Sequence, residues 1–477
     1  MNGTKEFVEI FPSNAASDGV FSRQRGSVIL NFQIAEEDAF MVGGSVRLCG
    51  KFKIQNLDNT GTPADPNNYT DDATGANYAM MDQRLGAYSF LDMLTISSKG
   101  TAQQIEQIRN YHRLMATLLP ALHSQKDIDG DMTNQTFSNT DFSWSQTQVS
   151  GGTEISFSMR LYSGLFYSKN PIPLSADWGL KGLNVQIQIT NPAMALFNVP
   201  DTAADTATGA AANGGAFYEM SDMTLQYEQI RPSPEALIPL RSQSTGTFSY
   251  NSWTSLYNVI NSPNHSATFD LGLRNVVACF MNFLPVTQNN SYDANSFATC
   301  RLRNTTAAQV YNGANVNVNQ LIFTRGGIKF PNEYVVIRNT GEAGLVHSQT
   351  QREFLNSIRP FIDIDHTIDE VEVSNQQRTS TKLLTSNSNT TLAGGGYFGL
   401  GVSYDAFSEM GADFSGTQWG YTLFSDLEGE GFEAPHSAYI YFLARQTLGW
   451  SPTGLQVIDW TGENGYTAWQ FNPNFLF

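Results

Sequence analysis

The residues from Leu183 to Thr190 alternate strictly: Leu183, Val185, Ile187 and Ile189 fall on one side of an extended chain, and Asn184, Gln186, Gln188 and Thr190 on the other. Successive side chains of a strand point to opposite faces, so this pattern describes a strand with one face buried and one wet. The same period of two runs through Val28, Leu30, Phe32 and Ile34, and through Val46, Leu48, Phe52 and Ile54 with Arg47, Lys51 and Lys53 outward. It returns at Ile155, Phe157, Met159 and Leu161, and at Met223, Leu225 and Tyr227. Beyond Arg231 it restarts with Phe248 and Tyr250, then Phe269 and Leu271, the apolar run 276–284, Ile328 and Phe330, 398–404 and 439–443. A chain so dominated by period two, with polar loops between strands and almost no helix-period segments, builds antiparallel sandwiches and not βαβ units.

Single hydrophobic cores stop growing at roughly 250 to 300 residues, so 477 residues predict two domains. The break falls at Arg231 to Pro239, where Pro232, Pro234 and Pro239 remove ladder donors and restrict the backbone. The expected map is an N-terminal arm over 1–26, a first β domain over 27–231, a Pro-rich linker over 232–241, a second β domain over 242–459 and an aromatic tail over 460–477. Each half carries one predicted helix. The first starts from a Thr101 cap with Gln104 at the box position and runs through Ile105, Ile108, Met115 and Leu118 to Pro120; the second starts near Thr350, carries Glu353, Phe354, Leu355 and Ile358, and stops before Pro360. One helix at a comparable place in each half hints at a duplication, although no repeat aligns residue by residue.

The polar positions are filled by Asn, Gln, Ser, Thr and Gly, while charged residues make up only 15% against a usual figure of about 25%. Low charge density suits broad subunit contacts, where desolvating a charge is costly. A net charge of −17 with no Lys/Arg run excludes a direct phosphate-binding role as the main function. Cys49, Cys279 and Cys300 lack metal-ligand spacing and read as buried free thiols of a reducing compartment. The start, Met1 to Phe7, has no basic and apolar leader pattern, so synthesis without a secretory signal is expected. The Asn-x-Ser/Thr triplets at Asn134, Asn304 and Asn389 are then matters of composition. Long loops at 56–80, 198–217, 304–320 and 375–396 exceed what a compact domain orders by itself, and are expected to be ordered by partners.

No constellation points to chemistry. The run from Asp127 to Asp131 opens like a calcium loop, but Met132 stands where the turn needs Gly and Ser138 where a closing Glu belongs. Asp363, Asp365, His366 and Asp369 read as a solvated turn. Gly394 to Gly399 matches a dinucleotide fingerprint in letters, yet a strand follows it instead of a helix. The expectation is a protein that is not an enzyme and needs no cofactor or metal. The tail is the remaining candidate: Trp460, Trp469, Phe471, Phe475 and Phe477 carry more aromatic surface than a chain end leaves in water. They either close on the second domain's own core or reach a neighbouring subunit as anchors.

Pro173-Leu174 followed by Gly182-Leu183-x-Val185-x-Ile187, and Pro331-x-x-Tyr334 leading into Val335 and Val336, resemble segments of the double jelly-roll major capsid proteins of the adenovirus, virophage and polinton-like virus lineage. With two β-rich halves and a helix in each, the resemblance spans nearly the whole chain. It implies an all-β fold of two tandem eight-stranded antiparallel jelly rolls. It also implies a homotrimer whose six rolls form a pseudo-hexameric capsomer of an icosahedral DNA-virus shell, located in the virion. The partners would be neighbouring capsomers, a penton protein at the fivefold vertices and minor or cement proteins, with an internal membrane left open. The rival readings are a carbohydrate-binding or adhesive β-sandwich protein, a jelly-roll glycoside hydrolase, and a minor capsid or vertex protein, which would show one roll.

Overall fold

The computed structural model describes residues 3–56, 77–81, 85–122, 154–200, 216–242, 245–262, 264–286, 289, 320–330, 335–336, 352–354, 356–357, 383–385, 391–393, 400–404, 411–424, 435–452 and 454–458. Its strands fall into two sets of two facing sheets. In the first set, one sheet runs in the order Ile155–Arg160, Arg47–Asn56, Ala216–Pro232, with Gly3–Ile10 along the far side of Ala216–Pro232. Leu225 pairs with Leu48 on one side and Ile10 on the other, which makes Gly3–Ile10 an edge strand. The facing sheet runs Ile29–Ile34, Leu183–Ile189, Leu91–Ser98, Gln104–Arg109.

The second set repeats this plan strand for strand. One sheet runs Leu400–Ser403, Val276–Pro285, His436–Ser451, Gly246–Ile260, and the other His265–Phe269, Trp419–Phe424, Gln320–Arg325, Ile328–Lys329. Each of these eight strands thus has a counterpart at the same sheet position and the same place in the chain order, while the short strands Phe40–Met41 and Ile172–Pro173 of the first set and Gly454–Ile458 of the second are additions to the shared plan. The repeat hinted at by one helix in each half is thus present in the strand order.

Leu183–Ile189 shows why these sequences become strands: its burial alternates as its hydrophobicity does, with Leu183, Val185, Ile187 and Ile189 all buried and the residues between them half-buried. The sheet of the second set that contains Val276–Pro285 is different, because it is buried on both faces. Cys279, Met281 and Phe283 enter the second sandwich's own core, whereas Ala278, Phe280 and Leu284 join the core cluster that fills the first. That double burial explains the unbroken apolar run there, since only a strand covered on both sides has no polar face.

Three expectations meet a different structure. The segment read as an N-terminal arm carries Gly3–Ile10, which pairs along eight residues with the C-terminal half of Ala216–Pro232. The first predicted helix begins too early: Gln104–Arg109 is a strand, and the helix runs Tyr111–Leu122 after Asn110, whose positive φ of 52° turns the chain. The Pro-rich linker contains a helix, Pro234–Ser242, with Pro234 at its first position, where the missing N–H costs nothing. Arg241 holds Asp38 at 2.6 Å, and Arg231 holds Glu37 at 2.8 Å and Glu6 at 3.2 Å. These pairs are well solvated and contribute about 0–1 kcal/mol each, so they orient the linker more than they stabilise it.

Helical backbone at 352–354 and 356–357 agrees with the second predicted helix. Cys49 is half-buried and Cys279 buried, both as free thiols whose pKa is pushed up by burial. Parts of the expected loops at 56–80 and 198–217 form a ribbon in which Asn77–Met81 pairs with Leu196–Pro200. Cys300, Asn304 and the loop 304–320 up to residue 319 lie outside the described residues, as does most of 375–396.

Candidate functional site: the joint between the two sandwiches

The two sandwiches meet where an edge strand of one sheet, Gln104–Arg109, runs beside an edge strand of another, Gly246–Ile260. The two strands share no ladder, so their facing backbone groups are satisfied by side chains. The Trp253 N–H donates to Glu106 Oε1 at 2.7 Å. The Gly164 N–H donates to the same oxygen at 3.1 Å, and the Leu165 N–H to Oε2 at 3.2 Å. One carboxylate therefore ties a strand and a loop of the first sandwich to the opening strand of the second. Tyr250 Oη donates to the Ile105 carbonyl at 2.8 Å, and the Arg109 N–H donates to Ser255 Oγ at 3.2 Å.

The helix Tyr111–Leu122 extends the joint. The Asn110 carbonyl at its start accepts from Tyr441 Oη at 2.9 Å, and Asn282 Nδ2 donates to the Arg113 carbonyl at 3.1 Å and to Thr117 Oγ1 at 2.8 Å. Fully buried, the Arg113 guanidinium lies 5.1 Å from the Tyr439 ring centre. Trp253 and Phe280 pack with their rings tilted by 45° at 5.6 Å and Phe280 meets Phe354 edge-on at 6.0 Å, which carries the first sandwich's apolar core into the second. Burying such rings contributes about 1.5–3 kcal/mol apiece, so the joint is a core and not a flexible tether.

Its electrostatics follow from that burial. Glu106 is 2% exposed, and desolvation pushes its carboxyl up to about 7, against the pull of the Trp253, Leu165 and Gly164 N–H groups. Tyr250 is pushed well up by the same desolvation, with the Glu106 charge adding to it. Desolvation and the neighbouring Arg113 bring His112 down to about 3. His112 is then neutral, its Nδ1–H donating to the Leu91 carbonyl at 2.9 Å, so the 3.7 Å approach to Asp92 is no ion pair.

The residues expected to form the subunit contact, Trp460, Trp469, Phe471, Phe475 and Phe477, lie outside the described residues. So do 127–131, Asp363, Asp365, His366, Asp369 and 394–399. Among the described residues no group of three or more His, Cys, Asp or Glu is placed to hold a metal ion, and no helix is long and apolar enough to cross a membrane. What the sequence reading missed is Glu106 itself, and an outward set of apolar side chains: Phe7 at 65%, Phe11 at 71%, Ile238 at 72% and Ile328 at 73% exposure. A lone acid between Ile105 and Ile108 was the available signal for the first; nothing in the alternation distinguishes an uncovered Phe7 from a covered one.

No protein-family model matches the sequence, and no curated protein matches it. Solved structures do. PBCV-1 VP54, fitted into a cryo-EM reconstruction of the virophage Sputnik, superposes with a TM-score of 0.54 at 12% identity, covering 96% of this chain and 97% of that one. The quasi-atomic model of the PBCV-1 virus capsid gives 0.54 at 10% identity over the same shares, 96% and 97%. The Sputnik virophage structure gives 0.52 at 11% identity, covering 98% of this chain and 93% of that chain. The chain has the double jelly-roll fold. The match runs across both rolls, from 93% to 98% of each chain compared. The joint is accordingly the place where this double jelly roll sets the attitude of one roll to the other.

Proposed function

We propose that the chain is a viral major capsid protein that trimerises into pseudo-hexameric capsomers and tiles an icosahedral shell. The observation that carries this reading is the repetition itself: two rolls with one sheet order, locked side by side by a buried joint. A single chain thereby supplies two near-equivalent units, and three chains supply six. A threefold object with a near-sixfold outline fits the hexagonal positions of a large lattice. The proposed units are a first roll over 27–231 together with the Gly3–Ile10 strand, the linker over 232–241 and a second roll over 242–459.

In this reading the protein is a structural component and not a catalyst. It acts in the virion shell with penton, minor and cement proteins as further partners, and it does not contact the genome in a sequence-specific way. The test is the solution mass by light scattering on a sizing column, followed by negative-stain imaging. A mass near three times 52.6 kDa, about 158 kDa, with pseudo-hexagonal outlines supports the capsomer; a clean 52.6 kDa monomer that binds glycans moves the reading to a carbohydrate-binding sandwich.

The aromatic tail is part of the same proposal, as an arm anchored on a neighbouring subunit by Trp460, Trp469, Phe471, Phe475 and Phe477. Truncation before Trp460 is expected to lower the yield of trimers or shells at least tenfold while the monomer stays soluble. Unchanged assembly of the truncated chain would sink the arm.

A further inference from the structure

The repeated topology assigns every strand of the joint a counterpart on the opposite roll. Gln104–Arg109 ends its sheet in the first roll as Ile328–Lys329 ends the equivalent sheet of the second. Gly246–Ile260 opens the second roll at a sheet edge as Gly3–Ile10 opens the first. Within the chain, one strand of each kind is used in the joint, and its burial shows it: Ile105 is 4% exposed and Trp253 1%. The counterparts are bare. Phe7 and Phe11 in the first roll, and Ile328 in the second, are three of the most exposed large apolar residues among those described.

We propose that the Ile328–Lys329 edge of one copy docks on the Gly3–Ile10 strand of a second copy, in the arrangement that Gln104–Arg109 and Gly246–Ile260 adopt within the chain. This rests on the capsomer reading and names the surfaces that make it. Each edge presents an exposed apolar side chain beside charged ones, and on the Gly3–Ile10 face Lys5 is already paired with Glu228. Ile328 is followed by the exposed cation Lys329, while the exposed anion Glu9 lies between Phe7 and Phe11. Because the faces differ, the contact is head-to-tail, and such contacts either close a ring or run on as a filament. A contact that repeats the internal joint turns each successive roll by the same step, and closure at six rolls is closure at three chains.

The surfaces are exposed in the single chain, so substitutions there leave each roll's core intact. Phe7→Glu and Ile328→Glu are made separately, and the mass of each full-length protein is measured by light scattering, with circular dichroism to verify the fold. Wild type is expected near 158 kDa and each variant at 52.6 kDa. The informative sample is the equimolar mixture. The F7E chain keeps an intact Ile328 edge and the I328E chain an intact Gly3–Ile10 strand, so one good contact forms and stops. The mixture is expected at two chains, about 105 kDa, with neither variant dimerising alone.

A trimeric wild type whose two variants are also trimeric overturns the docking and leaves the capsomer standing. A monomeric wild type overturns both. Variants that are monomeric alone and remain so when mixed overturn the head-to-tail pairing of these two strands. Phe11→Glu and Lys329→Glu, also exposed, form a second pair that repeats the test if either first variant loses its fold.

Discussion

Gly164→Ala is expected to part the two rolls. A Cβ at Gly164 would lie 1.5 Å from the Asn251 carbonyl oxygen and 2.4 Å from its carbon, with Glu106 Oε1 at 3.0 Å. The first two atoms are backbone of the second roll's opening strand, so no side chain can swing aside to make room. Either the 163–166 loop withdraws, taking the Gly164 and Leu165 N–H groups away from Glu106, or Gly246–Ile260 lifts off Gln104–Arg109. Overpacking a well-fitted core costs about 1–3 kcal/mol, and a collision with the Asn251 backbone belongs at or above the top of that range, about 3 kcal/mol or more. Scanning calorimetry reads it: the wild type is expected to unfold with its rolls coupled, and the variant to show two separated transitions with the earlier one at lower temperature. A single transition at the wild-type temperature would mean that the loop moves without strain and that the close approach is not what seats the rolls.

The second large effect is a dependence on pH that belongs to Glu106 and is masked by His112. A carboxyl raised to about 7 in the folded protein, from an ordinary value of 4.5, binds its proton more tightly folded than unfolded. Its contribution is therefore fully present below about pH 4.5 and is lost as pH rises through 7, and the whole swing is about 3 kcal/mol. His112 works the other way. Lowered to about 3 from 6.5, it contributes above pH 6.5 and loses that contribution as pH falls toward 3. Between pH 7 and 5 the two slopes nearly cancel, so the wild-type melting temperature is expected to change little on their account.

Glu106→Gln removes one of them. At pH 7 and above the cost should be about 1–3 kcal/mol, because the amide turns a donor toward N–H groups that need an acceptor. The gap between wild type and variant is expected to widen by a further amount of about 2 kcal/mol on going from pH 7 to pH 5. Parallel melting curves for the two proteins across that range would show that Glu106 does not titrate there and that its three N–H donors outweigh its burial.

What could be read from the sequence, and what could not, divides along a physical line. Leu183–Ile189 was legible because its partner faces lie within its own sandwich, and alternation is the signature of one buried face. In sequence Gln104–Arg109 has the look of a helix because Ile105 and Ile108, three apart, form one helical stripe behind a Thr101 and Gln104 cap. They are instead on opposite faces of a strand, and both are buried because the strand has its own sandwich on one face and the other roll beside it. A second covering surface erases the period of two, and that surface is supplied by residues about 150 positions away, beyond the reach of any local pattern. Glu106 was lost for the same reason: its hydrogen-bond partners at 164, 165 and 253 meet only in the folded pair. The Pro-rich break was legible as a boundary, yet its prolines also permit the helix Pro234–Ser242, since a proline at the first turn ends one element and begins the next.

In the proposed capsomer, the joint also bears on how fast a ring of three chains would form. Six separate rolls would need five productive encounters to close, each surrendering translational and rotational freedom at about 4–15 kcal/mol. Fusing rolls in pairs, with the pair already seated by Glu106 and its three donors, leaves two encounters for a ring of three chains. Half of the lateral contacts are then formed during folding of the monomer, at whatever concentration the chain is made, and only the other half dilute. In a cell where the product starts scarce, that shifts the concentration at which rings first appear, and it makes the monomer's folding, not its abundance, the step that sets the angle every later subunit must follow.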